Sequence, residues 1–436
     1  MTTLEMGFWS LPVLLGLIFA RAPIGLAMAL VGAGGLWLVT GSPAMILARL
    51  KTEVFSTYAS YTLSVVPMFL LMGQFAALGG MSQALFRAAE GLVGHRRGGV
   101  GIAAIGACAG FGAICGSSMA TAATMGQAAL PELKRAGYAG GFAGAILAAG
   151  GTLGILIPPS VVLVIYAQLT EANIAKLFLA AFVPGLLAAA SYMAVIALYV
   201  RRHPNAAGIV ARVGWGERLR RLALVWPVLA VFLAVVGGIY GGLFTPTEGA
   251  AIGAAGTGLI AALSGGLRGG ALPRALLATA QSTAMVFFIV LGAGLLNGFL
   301  ALAQVPQALS QAVVDLGLSP WMVMVAILVL YLILGCVMDS LSMILLTVPI
   351  FWPVVQGLDF GLTPDQLAIW FGILVLIAVE VGLITPPVGM NLFVINAMDR
   401  ATPAPAVFRA VTWFVAADIL RIALLLAVPA ITLFAI

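Results

Sequence analysis

Charge is what this chain has least of. Of its 436 residues only 8% are Asp, Glu, Lys or Arg, against about a quarter in an ordinary soluble domain. Hydrophobic residues make up 63% and the mean hydropathy is +1.17, so there is too little polar surface to clothe a globule in water and the solvent for most of the chain is lipid. The longest polar stretch runs from Arg201 to Arg221, which leaves no room for a soluble domain. Histidine is nearly absent: His95 and His203 both lie in basic loops, beside Arg96, Arg97 and Arg202, where a solvated role suits them. The three cysteines, Cys108, Cys115 and Cys336, sit in apolar, glycine-rich surroundings without metal-ligand spacing and read as packing residues. There is no Gly-x-Ser-x-Gly, no HExxH, no obvious aspartate pair and no Walker A loop, which argues against an intramembrane hydrolase, a zinc protease and an ATP-driven pump. The first twenty residues have neither a basic leader nor a small-residue cleavage site, and read as a first span.

At roughly 20 apolar residues per span, the length allows about ten to twelve membrane segments. Apolar runs place spans at about 4–20, 23–40, 54–79, 139–168, 176–200, 222–240, 247–265, 275–302, 366–398 and 408–435. Two further runs, about 98–132 and 318–356, are interrupted midway by Gly116-Ser117-Ser118 and by Asp339-Ser340-Leu341-Ser342, and read as re-entrant helical hairpins. Irregular backbone at such a depth is tolerated only when buried in protein or lining an aqueous cavity. With both termini on the periplasmic side of a bacterial inner membrane, only Arg49, Lys51 and Lys176 face outward, Arg421 falls within the last span, and the other sixteen of the 20 basic residues face the cytoplasm. That asymmetry obeys the positive-inside rule and accounts for the net charge of +6 as orientation information.

The same punctuation occurs twice. Gly154-Ile155-Leu156-Ile157-Pro158-Pro159 is matched by Gly382-Leu383-Ile384-Thr385-Pro386-Pro387 at an offset of 228, Ser118-Met119 by Ser342-Met343 at 224, and Pro23 by Pro246 at 223. The chain therefore divides into a first repeat (1–200), a cytoplasmic basic linker (201–221) and a second repeat (222–436). Each repeat has five crossings and a hairpin that crosses nothing, so the second copy is inverted, with the first hairpin opening to the cytoplasm and the second to the periplasm. The expected fold is an all-α polytopic membrane protein built as an inverted-topology repeat with two hairpins and two broken helices. Secondary transporters built this way bind their cargo at the repeat interface near the midplane.

The Pro158-Pro159 and Pro386-Pro387 pairs remove backbone donors and free carbonyls around Gly154 to Ile157 and Gly382 to Thr385. A sodium ion suits such carbonyls, with Ser117 and Ser118, and Ser340 and Ser342, completing the two shells, unless neighbouring Ser and Thr simply repair a kink. Half-helices starting near Ser118 and Ser342 would point partial positive charge at an anion. Asp339 serves as a cation ligand or gate, or as a helix cap. Glu380 and Thr152, at equivalent places in the two halves, either line the cavity or bond structurally. Asn391 is a further candidate ligand, and Glu248 reads as a dipole partner at a helix start. Asp418 and Arg421 are three residues apart and pair with each other or meet a partner helix. The small residues from Gly101 to Gly112 allow close approach of a moving or a static neighbour.

The run from Gly116 to Gly126, the Ile157-Pro158-Pro159-Ser160 element, Pro246-Thr247-Glu248 with Ala250, and Asp339 with Thr385-Pro386-Pro387-Val388-Gly389 together resemble the large membrane subunit of tripartite ATP-independent periplasmic (TRAP) transporters of the dicarboxylate type. The resemblance covers essentially the whole chain. It implies an elevator transporter, not an enzyme and without a cofactor, in which sodium entry drives import of an organic anion such as a C4-dicarboxylate or sialic acid. A periplasmic binding protein would deliver the anion, and a small four-helix membrane subunit would be a separate chain. It places sodium ligands on Ser117, Ser118, Gly154 and Ile157 and on Asp339, Ser340, Ser342 and Thr385. Separately, Ser118, Thr121, Thr152, Ser342 and Glu380 are the candidate substrate contacts. A single-component carboxylate or ion exchanger of a related inverted-repeat fold is the alternative.

Overall fold

The computed structural model describes all 436 residues, and regular structure in it is entirely helical. Five helices are long and apolar enough to cross a membrane unaided, and up to seven if each of two bent pairs is one span. Shorter apolar helices, among them Thr3–Phe19 and Ile24–Thr40, fill the remaining expected positions.

Three features depart from the expected spans. The run expected at 54–79 is a helix Pro43–Tyr58 followed, after a break, by Thr62–Leu78 at 55° to it. Arg49, Lys51, Thr52 and Glu53 make the first part too polar for lipid, Ser42 caps its start, and Ser60 accepts from Leu63 N (3.3 Å) beyond the break. Short helices also occupy segments read as loops, at Met81–Val93, Val305–Asp315 and Trp215–Ala223. The final run ends as a helix at Ala427, before Pro429, and not near 435.

The two halves carry the same elements in the same order. Ile24–Thr40 corresponds to Pro246–Leu263, Met81–Val93 to Val305–Asp315, and Ile174–Arg202 to Ala404–Ala427. Between them lie the first hairpin (Gly99–Cys115 and Ser118–Arg135) and the second (Pro320–Gly335 and Ser340–Gln356). Each hairpin is followed by its broken helix, Gly140–Leu156 with Val161–Thr170 in the first half and Pro364–Ile384 with Met390–Met398 in the second. Corresponding helices start 221 to 230 residues apart. The bent pair Pro43–Leu78 matches the single long helix Ala271–Leu302, so the copies differ where one helix broke and its counterpart did not.

Packing repeats as well. Ile24–Thr40 lies on Ala271–Leu302, and its counterpart Pro246–Leu263 lies on Val65–Leu78, so each half completes the other's frame. Inside that frame Val161–Thr170 packs on the second hairpin, and Met390–Met398 on the first. Every residue of Gly141–Leu156 and of Leu367–Ile384 is buried, so the two broken helices are the centre of the molecule. A glycine pair in each half permits this: a Cβ on Gly112 would lie 2.7 Å from Gly154 Cα, and one on Gly382 would lie 2.4 Å from Gly335 Cα. Such contact lets a hairpin arm touch the broken helix backbone to backbone.

If the second copy is inverted as its charges require, a fluorescent reporter fused after Arg221 is cytoplasmic and an alkaline phosphatase fused after Ile436 is active in the periplasm. The same localisation for both fusions contradicts the inversion.

Candidate functional site

The tips of the two hairpins meet at the breaks of the two central helices, and the chain builds the two tips differently. In the first, Gly116 adopts φ +65°, and Ser117 in extended backbone caps Ser118–Arg135, its hydroxyl accepting from Ala120 N at 3.5 Å. In the second, Asp339 takes the cap of Ser340–Gln356, accepting from Ser342 N at 3.2 Å and from the Ser342 hydroxyl. Of the two roles open to Asp339, this geometry fills the cap. Either way the side chain satisfies donors that a helix start leaves orphaned.

Glu380 joins these tips. It lies on Pro364–Ile384, is 1% exposed, and accepts from the Ser118 hydroxyl on one carboxyl oxygen and from the Ser340 hydroxyl (2.7 Å) on the other. One carboxyl group of the second broken helix thereby holds the first residue of a helix in each hairpin. Between the tips is a cavity of about 60 Å³, bounded by Ser117, Ser118, Asp339 and Ser340 with apolar residues including Ile155 and Leu383.

At the first break the peptide bond Pro158-Pro159 is cis, and at the second Pro386-Pro387 is cis. Because proline has no N–H, the helical donors for the carbonyls of Gly154 and Ile155 are missing, and that for Leu383 likewise, while the Gly382 carbonyl accepts from Thr385 N instead (3.0 Å). The Thr121 hydroxyl is buried without any hydrogen-bond partner. It points at Gly154, where a Cβ would lie 2.3 Å from Thr121 Oγ1 and 2.6 Å from the Ser117 carbonyl oxygen. Ser117, Thr121 and Gly154 thus bring an orphaned hydroxyl and a backbone carbonyl against a broken helix. Ile157, the last residue before the prolines, is in extended backbone. At the second break Thr385 donates to Val381 O (2.6 Å), and Gly389 N donates to Cys336 O in the second hairpin (3.2 Å).

Two candidates lie elsewhere in the network. Asn391 is buried against the first broken helix, donating to Ala148 O (3.3 Å) while its side-chain oxygen has no partner. Thr152, the counterpart of Glu380, donates to Ala149 O (2.7 Å) and meets Tyr192 Oη at 3.0 Å, and Tyr192 donates to Asp418 (2.8 Å). Asp418 pairs with Arg421 at 2.9 Å, with the Arg421 guanidinium over the Tyr192 ring. Thr152 is thus linked through Tyr192 to a buried ion pair, while Glu380 is at the tips. Glu248 closes a capping box with Thr245 as a helix-start partner.

Two ion pairs that sequence reasoning missed cross between the halves. Lys134, ending the first hairpin, meets Asp399, following the second broken helix, at 2.6 Å, and Lys176 meets Asp365 at 2.5 Å. Burial alone would raise Asp399, but Lys134 and the Thr402 hydroxyl hold its carboxyl below the usual range. No sequence signal links partners so far apart, although each lies at the end of an element.

The family model described as tripartite ATP-independent periplasmic transporter, DctM component, matches residues 11–431. The C4-dicarboxylate TRAP transporter large permease protein DctM of Pseudomonas aeruginosa is 39% identical over 381 residues, covering 87% of each chain. The isethionate TRAP transporter permease protein DctMQ of Oleidesulfovibrio alaskensis is 33% identical over 403 residues, 90% of this chain and 61% of that one. Among solved structures, the Alcanivorax borkumensis YdaH transporter, whose topology is described as unusual, superposes with a TM-score of 0.60 at 15% identity, over 86% of this chain and 87% of that one. That likeness is one of fold.

The Asp418–Arg421 pair yields a test of this site's supporting layer. Removing one partner of a buried pair leaves an uncompensated charge, so Arg421→Met alone should destabilise by about 3–5 kcal/mol. Asp418→Leu combined with Arg421→Met should recover most of that in thermal melts of the purified protein. A tolerated single variant contradicts the pairing.

Proposed function

Because the chain belongs to the DctM component family of tripartite ATP-independent periplasmic transporters, we propose that this large membrane permease subunit couples sodium entry to import of an organic anion by an elevator movement. The observation that carries the proposal is the buried, partnerless Thr121 hydroxyl facing Ser117 and Gly154 at a proline-broken helix. A hard cation prefers oxygen ligands, and a hydroxyl with no hydrogen-bond partner beside main-chain carbonyls supplies them without a formal negative charge. Ser117, Ser118, Thr121, Gly154 and Ile157 would hold one ion, and Asp339, Ser340, Ser342 and Thr385 a second around the break before Pro386. Asn391, bonded to the first broken helix, would brace the two breaks against each other.

The anion site would be the gap between the hairpin tips, where helices starting at Ser118 and Ser340 present orphaned N–H groups. The cargo class follows from those donors: a carboxylate or a similar oxyanion. The relatives' names specify C4-dicarboxylate and isethionate, and both are anions of this kind. A gap of about 60 Å³ is far below the roughly 300 Å³ at which ligand pockets begin, so loading requires the hairpins to separate. The mobile body would comprise both hairpins and both broken helices, cross-tied by Lys134–Asp399 and joined to Ile174–Arg202 by Lys176–Asp365. It would slide against a frame made of Ile24–Thr40, Val65–Leu78, Pro246–Leu263 and Ala271–Leu302, completed by a small membrane subunit on another chain. A periplasmic binding protein would deliver the anion.

Reconstituted with its small subunit, the protein should accumulate succinate in liposomes only with an inward sodium gradient and a cognate binding protein. Uptake at the same rate without sodium would falsify the coupling. Thr121→Val should raise the sodium concentration for half-maximal uptake about tenfold, equivalent to roughly 1.4 kcal/mol, with an unchanged melting temperature. An unchanged sodium dependence removes Thr121 from the ion site.

A further inference from the structure

We propose that Glu380 is an internal latch. Its carboxyl group holds the two hairpin tips together in the substrate-free protein and surrenders both serine hydroxyls when the transported anion arrives. The proposal rests on the reading of the hairpin tips as the anion site.

Geometry places a carboxyl group where a substrate carboxylate has to go. The Ser118 and Ser340 hydroxyls both donate to Glu380, one to each oxygen, although Ser118 is 262 residues away in the chain. Neither serine is needed as a cap, because Ser117 and Asp339 cap the two helices. Nor is Glu380 the partner of a buried cation: the buried guanidinium of Arg421 is taken by Asp418, and no Lys or Arg is within ion-pair distance of Glu380.

Hydrogen-bond accounting points the same way. With Glu380 in place both serine hydroxyls are committed, and little of the gap between the tips is empty. An incoming anion meets donors already occupied. It binds by displacing Glu380 from the serines, which also frees the tips to part. The repeat shows that this is not a feature of the shared scaffold: the matching position is Thr152, whose hydroxyl is turned to Ala149 O and Tyr192, away from either tip. One latch, contributed by the second half alone, therefore clamps both hairpins. Glu380 is on this account a positioning residue, acting through Ser118 and Ser340.

Hydrogen exchange of the purified complex, measured without any substrate, reads the latch directly. Glu380→Ala should speed amide exchange in segments 116–119 and 339–342 about tenfold or more, while Ile174–Arg202 exchanges as in the wild type. The paired variant Ser118→Ala with Ser340→Ala, which leaves Glu380 in place, should reproduce the effect and serves if Glu380→Ala does not fold. Tip exchange at the wild-type rate in a folded variant overturns the latch. In the second arm, Glu380→Ala should bind succinate about tenfold more tightly, since a competitor worth roughly 1.4 kcal/mol is gone. Weaker succinate binding by Glu380→Ala would mean that Glu380 is a substrate ligand and overturns the latch. If succinate binds no form of the protein, the assignment of the anion fails on its own, and the exchange arm alone decides the latch.

Discussion

A carbonyl without a donor cannot be left in hydrocarbon, and the rest of this molecule is arranged around two places where the chain creates such carbonyls. Prolines 158, 159, 386 and 387 break the two most buried helices at their middle. In lipid each exposed main-chain group would cost several kcal/mol. The breaks are therefore enclosed: a hairpin arm lies on each, brought to backbone distance by Gly112 with Gly154 and by Gly335 with Gly382. The frame of Ile24–Thr40, Val65–Leu78, Pro246–Leu263 and Ala271–Leu302 wraps the outside. The same enclosure concentrates oxygen ligands and helix N-termini in one dry place, which is what a site for a cation and an anion needs.

The repeated order of elements supplies the two breaks, and the differences between the halves supply the chemistry. Ser117 and Asp339 perform the same capping task with a neutral and an acidic side chain. Thr152 and Glu380 occupy one repeat position, yet the first ties the central helix to Tyr192, Asp418 and Arg421 while the second reaches across to both hairpins. Around the two breaks the order of elements is thus repeated while the acids differ. A site made of two identical halves would have no reason to favour one occupancy over another. A single carboxyl between two tips gives the empty state its own stabilising contacts.

Much of this was legible in the sequence because lipid makes the pattern strict. Apolar runs, their polar interruptions and the repeated Pro-Pro elements locate the hairpins and broken helices to within a few residues. The failures have local causes. The 54–79 run reads as one span because its apolar residues outnumber its breakers, while Ser60 and the polar face of Pro43–Tyr58 divide it. The short helices at 81–93, 305–315 and 215–223 are amphipathic and lie in segments that look like connections between spans. At the site, the offset between the halves singled out Glu380 and Thr152 together but left their roles open, because which way a side chain turns depends on partners hundreds of residues away. Thr121 is legible only as one threonine in a small-residue run; its isolation from any hydrogen-bond partner is a property of the fold.

The central claim is that ions at the breaks and an anion between the tips occupy one enclosed site whose donors are held by Glu380 when it is empty. An electron cryomicroscopy map of the complete transporter with sodium and succinate bound tests it most directly. The account predicts density for a cation beside Thr121 and Gly154, and for the anion between Ser118 and Ser340 with Glu380 turned away from both. Succinate seated elsewhere, with both serines still bonded to Glu380, would contradict it.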